Sequence, residues 1–130
     1  MEVVKRRVKE REEVVERARE YALSLKGRYS VFLVGSYARG DFNVWSDVDL
    51  VVIGEFERGV LERLEELEAP PRFEVIPLTP AEALRGAEKG NPLMVELVEK
   101  GLTLRDDFRI RDALRERLSC RRGKSPSCKG

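Results

Sequence analysis

The sequence predicts an α/β (α+β) domain, a small mixed β-sheet flanked by helices, and three observations predict it. Three short apolar runs rich in β-formers, closed by Gly or Pro, alternate with charged segments whose apolar residues recur every three or four positions. A length of 130 residues allows one real core and is too short for two. Hydrophobic residues make up 42%, a globular share, and no apolar run nears the roughly 18 residues that span a bilayer.

The elements follow in order. From Glu2 to about Lys26, Val4, Val8, Val15, Ala18, Ala22 and Leu25 mark an amphipathic helix that Gly27 ends. Ser30 to Val34 is a buried strand closed by Gly35. Ser36 to Arg39 opens a short helix, and Asp41 to Ser46 is a loop. Asp47 to Ile53 is a second strand, closed by Gly54. Arg58 to Glu68 is a helix with Val60, Leu61, Leu64 and Leu67 inward. Pro70 and Pro71 break the chain before a third strand, Phe73 to Ile76. Thr79, Pro80 and Glu82 form a helix start, with a threonine cap, proline at the first position and a glutamate three residues after the cap. That helix runs to about Lys89, and Asn91-Pro92 starts another that ends at Gly101. Residues 102–105 suit a short extended piece. Asp106 to Leu118 is a last helix, capped by Asp106 or Asp107. Residues 1–118 thus form the domain, and 119–130 a basic, flexible tail.

Composition narrows the chemistry. Charged residues make up 38%, well above the usual quarter, a composition like that of hyperthermophile proteins. The formal charge of +1 argues against a broad nucleic-acid surface, although Arg121, Arg122, Lys124 and Lys129 give the tail a basic character that suits RNA or an acidic partner. The N-terminus lacks the apolar core of a signal peptide, so a cytoplasmic protein is expected. Cys120 and Cys128 both lie in the tail, where they can pair with each other or stay free thiols. The chain has no histidine, which removes Ser-His-Asp, Cys-His and His–metal chemistries and leaves acid–base and metal work to carboxylates.

One stretch concentrates chemistry: GSYARGDFNVWSDVDL, residues 35–50. Gly35 lies between a strand and a helix, where glycine permits a tight turn and close approach of a ligand. Backbone N–H groups around Ser36, at the helix start, suit an anion. Arg39 can aim a bidentate donor at the same phosphates. Asp47 and Asp49, two apart, fall on one face of a strand, where two carboxylates repel unless a cation lies between them. Mg²⁺ takes such hard oxygens together with substrate phosphates and water. Glu74, on the third strand among Phe, Val and Ile, is a third acid placed to reach the same metal or to deprotonate a hydroxyl. Each feature has an ordinary alternative: a strand-to-helix turn, solvated acids at a strand entrance, an edge-strand glutamate. Phe42 and Trp45, in the loop before Asp47, can pack that loop down, stack on a base or meet a partner.

The motif Gly-Ser-x10-Asp-x-Asp, here Gly35-Ser36 and Asp47/Asp49 with Glu74 on a later strand, resembles the DNA polymerase β-like nucleotidyltransferase superfamily. More narrowly, residues 1–118 resemble the minimal nucleotidyltransferases. The resemblance implies that Gly35, Ser36 and Arg39 bind the nucleotide, and that Asp47, Asp49 and Glu74 are the catalytic and metal-binding acids. Relatives more often have aspartate where Glu74 stands. It further implies Mg²⁺, with room for two ions, ATP or another NTP as substrate, and transfer of a nucleoside monophosphate to a hydroxyl with release of pyrophosphate. Minimal members are often encoded beside a HEPN-domain toxin and act as its antitoxin, some by adenylylating it. The competing expectations are a nucleotide-binding antitoxin or regulator that works by binding alone and, ranked last, an antibiotic-type small-molecule nucleotidyltransferase.

Overall fold

The computed structural model describes residues 2–43 and 45–121. The expected tail from residue 122 on, with Cys128, and the side chain of Val4 lie outside the described residues. In chain order the elements are α1 Glu2–Ser24, β1 Tyr29–Val34, α2 Ser36–Arg39, β2 Val48–Gly54, α3 Val60–Leu67, β3 Phe73–Leu78, α4 Pro80–Glu88, α5 Pro92–Lys100, β4 Leu102–Asp106 and α6 Ile110–Arg121.

Strand alternation builds the core. Odd and even residues of β1 point to opposite faces. Val31 and Leu33, with Leu50 and Val52 of β2, meet Val14, Ala18 and Ala22 of α1 on one face. Phe32 and Val34, with Val51 and Ile53, meet Ala83 and Ala87 of α4, Met94 and Leu97 of α5, and Ile110 and Leu114 of α6 on the other. Burial on both faces explains why β1 and β2 read as continuous apolar runs. The four-stranded sheet has the order β3-β2-β1-β4, with β1 antiparallel to β2 and β4, and β2 parallel to β3. It is the mixed sheet flanked by helices that the sequence predicts. Thr79 forms its capping box with Glu82, as the spacing predicts.

Three local expectations change. The piece expected at 102–105 is a true strand, β4, hydrogen-bonded to β1 with a register shift between Val31 and Phe32. The last helix starts at Ile110 rather than Asp106, because Asp106 ends β4 and reaches across the turn to accept the N–H groups of Ile110 (2.9 Å) and Arg111 (3.2 Å). In α3, Val60, Leu61 and Leu64 are exposed, Leu61 at 75%, and only Leu67 is buried. The inward place is taken by Arg63, whose guanidinium lies over Phe56 and bonds Pro77 O and Glu82. Among the described residues no helix is long and apolar enough to cross a membrane.

Candidate functional site

The ends of β1, β2 and β3 meet at Gly35. Register places Val34, the last residue of β1, opposite Asp49, so the next residue turns directly over the Asp49 carboxylate. Gly35 has φ 77° and ψ −156°, and a Cβ there would lie 2.3 Å from Asp49 Oδ2. Both the left-handed backbone and the carboxylate require glycine.

Asp49 is in turn the register partner of Glu74 across the parallel β2–β3 ladder, which sets the two carboxyls side by side. Burial pushes the Asp49 carboxyl above its ordinary pKa, and the charges of Glu74, Asp47 and Glu96 push it further. Asp47, just before β2, is exposed, as is Glu74. Its loop is a tied turn: Asn43 N–H donates to Ser46 Oγ (2.9 Å), Trp45 N–H to Asn43 Oδ1 (2.8 Å), and Arg72 to Ser46 O (3.0 Å). The two aromatics of this segment part company. Phe42 is buried and stacked on Tyr37 with ring centroids 4.4 Å apart, whereas Trp45 is 89% exposed.

Beyond Gly35, α2 is a single turn, too short for the sizeable dipole that a long helix offers an anion. Its carbonyls are tied by Arg11 of α1, which donates to Tyr37 O (2.8 Å) and Ala38 O (3.2 Å). Ser36 begins that turn beside Gly35. Arg39 closes it, paired with Asp41 (3.2 Å) and with Glu96 of α5, contacts that raise its pKa. Glu96 Oε2 also accepts the Gly35 N–H at 3.4 Å.

Asp49, Glu74 and Gly35 are thus brought together, Asp47 stands within electrostatic reach, and Arg39 approaches through Glu96. Sequence reasoning missed Glu96, Arg11 and Arg72. Glu96, an acid between the core residues Met94 and Leu97 of an amphipathic helix, carries no local signal. Nothing local marks the two arginines, whose partners lie 26 or more residues away.

Among the described residues, no three His, Cys, Asp or Glu side chains are gathered tightly enough to hold a metal alone. The donor set nevertheless fits Mg²⁺. A pair of hard carboxylates, short of positive charge, suits an ion that takes one or two carboxylates and completes its shell with phosphates and water.

Comparison with known proteins identifies the family and the fold. The family profile of the nucleotidyltransferase domain matches residues 11–125. The fold is similar to that of a Sulfolobus solfataricus protein assigned as a nucleotidyltransferase and solved at 1.40 Å (TM-score 0.53, 22% identity, 75% of this chain and 84% of that one). It is also similar to a crystal structure of a toxin–antitoxin with AMP-PNP (TM-score 0.58, 18% identity, 84% of this chain and 87% of that one). No curated protein matches the chain.

Proposed function

The chain belongs to the nucleotidyltransferase domain family, and from that premise we propose that it moves a nucleoside monophosphate, AMP from ATP, onto a hydroxyl of a partner HEPN toxin, and so acts as antitoxin. The observation that carries the reading is the Asp49–Glu74 pair in register beneath Gly35. It joins the turn expected to hold the triphosphate to the acids expected to hold metal.

Gly35 lets the turn close over the Asp49 carboxylate, and its N–H and the Arg39 guanidinium, which already share one carboxylate in Glu96, can together take an anion. Asp47, Asp49 and Glu74 would hold Mg²⁺, which when bound would supply Lewis-acid neutralisation of the phosphate charge. The acceptor oxygen bonds to the α-phosphorus as the bond to the β-phosphate oxygen breaks and pyrophosphate departs. The hydroxyl proton passes to a carboxylate, and Glu74, exposed beside Asp49, is the acid best placed to take it. Rate would come from alignment and charge neutralisation.

Two features support an acceptor on another protein. Asp47 and Glu74 face solvent, open to a large substrate, and Trp45 stands exposed two residues from Asp47. The toxin–antitoxin neighbour was solved with a nucleotide analogue. We assign the reaction to residues 1–118 and leave 119–130 outside it.

The test is incubation with each NTP, Mg²⁺ and the protein encoded by the neighbouring reading frame, read by intact mass. A nucleotide adduct on the partner, absent with Asp47→Asn and Asp49→Asn, is expected. An unmodified partner that both variants still neutralise would sink the transferase reading in favour of inhibition by binding.

A further inference from the structure

We propose that Glu96 is an internal stand-in for phosphate: its carboxylate occupies the donors that a bound triphosphate uses, so that the nucleotide must displace it. This rests on the reading of Gly35 and Arg39 as phosphate-binding.

The argument begins with what Glu96 touches. Oε2 accepts the backbone N–H of Gly35 at 3.4 Å, and Oε1 accepts from Arg39 Nη1. One carboxylate therefore spans a main-chain donor and a guanidinium with its two oxygens, as two oxygens of a phosphate would. The contacts span 61 and 57 residues, and tie α5 to the turn after β1.

Charge sharpens the point. Glu96 lies in the field of Asp49, which already faces Glu74 and Asp47. A triphosphate brought to Gly35 would meet a fourth carboxylate at the point of contact. Either the ligand replaces Glu96 on those donors or it is repelled. The displaced side chain has somewhere to go. Arg39, Glu96 and Lys100 line a cleft of about 370 Å³ along α5. Lys100 is four residues after Glu96, the helix spacing and order in which a glutamate and a lysine pair favourably. The ion pair that must break has side chains 35% and 27% exposed. Such pairs are weak, which makes the exchange reversible. Glu96 thereby sets nucleotide affinity, and it disfavours anions that cannot outcompete a carboxylate for both donors.

Calorimetric titration of the whole chain with inorganic tripolyphosphate, and separately with ATP plus Mg²⁺, tests this. Glu96→Gln is expected to bind tripolyphosphate roughly two- to fivefold more tightly than the unmodified chain, the range into which an exposed ion pair converts. Glu96→Asp, one methylene shorter and unable to span both donors, should bind more tightly too, and it serves if the glutamine variant folds poorly. If the unmodified chain binds ATP with Mg²⁺ while both variants bind tripolyphosphate equally or more weakly, the stand-in role is overturned and the nucleotide site survives. If neither chain nor variant binds either ligand, the site reading falls and this proposal with it.

Discussion

The two ends of β1 treat carboxylates in opposite ways. At its start, Ser30 is the register partner of Asp106, whose Oδ1 accepts the Ser30 hydroxyl (2.6 Å) and the Ile110 N–H, while Oδ2 accepts the Arg111 N–H. Next to it, the Arg105 side chain and the Tyr29 N–H hold the Asp107 carboxyl below its ordinary pKa. At the end of β1, Val34 is the register partner of Asp49, whose surroundings are Glu74, Asp47 and Glu96 and whose pKa is raised. One strand thus has donors gathered around acids at one end and acids gathered around an acid at the other. The first arrangement holds the fold together. The second costs stability that positive charge from outside can recover, which is the signature expected of a working site.

The largest way to break this contrast is Asp49→Asn. It should cut nucleotidyl transfer by about two orders of magnitude or more, as loss of a charge-stabilising group does, while leaving the melting temperature equal or higher. A fall in both would make Asp49 a structural acid. The mirror experiment is Asp106→Ala, expected to lower unfolding free energy in urea by about 2–3 kcal/mol, because the buried Ser30 hydroxyl and two helix N–H groups lose their acceptor. Its nucleotide affinity should be unchanged.

Gly35→Ala joins the two readouts. A Cβ 2.3 Å from Asp49 Oδ2 on a backbone at φ 77° must move the carboxylate, so activity should fall with it. The strain should cost about 1–3 kcal/mol, and a neutral result would show that the turn relaxes freely.

The smallest effect is in pH. Asp49 is raised in the folded state, so its ionised form costs stability above that raised pKa, and the cost fades as pH falls toward the unfolded value. The gain from Asp49→Asn should therefore be present above the raised pKa and vanish in acid. Asp107 is lowered, so its contribution is present above the unfolded pKa and is lost as pH falls through the folded one. Asp107→Asn should lose stability at neutral pH and match the parent in acid. Solvent exposure keeps each difference small. Denaturation midpoints of the variants from pH 3 to 8 would reveal slopes of the same sign if the contrast is false.

Legibility followed the range of the interactions. Burial on both faces wrote itself into β1 and β2 as unbroken apolar runs, and a capping box into Thr79 and Glu82. β4 was harder to read, since an edge strand with one half-buried face mixes Thr and Arg among its leucines. Val60, Leu61 and Leu64 of α3 kept a helical period yet faced outward, because a period states that a face exists and not which way it turns. Of the site, Gly35, Asp47, Asp49 and Glu74 were visible through spacing and residue type. Glu96 was not, because its partners lie about 60 residues back along the chain.

By itself, the sequence determined the order of the elements as far as α5, the two-faced core, the exclusion of histidine chemistry and the set of acids from which a metal site can be drawn. Local periodicity and residue chemistry suffice for these. Only tertiary structure decided that Asp49 stands beside Glu74, that Gly35 closes over Asp49, that α3 shows Leu61 and Leu64 to solvent and that Glu96 occupies Arg39. Each depends on strand register or helix rotation, which is set by the balance of burial and charge across elements distant in the chain.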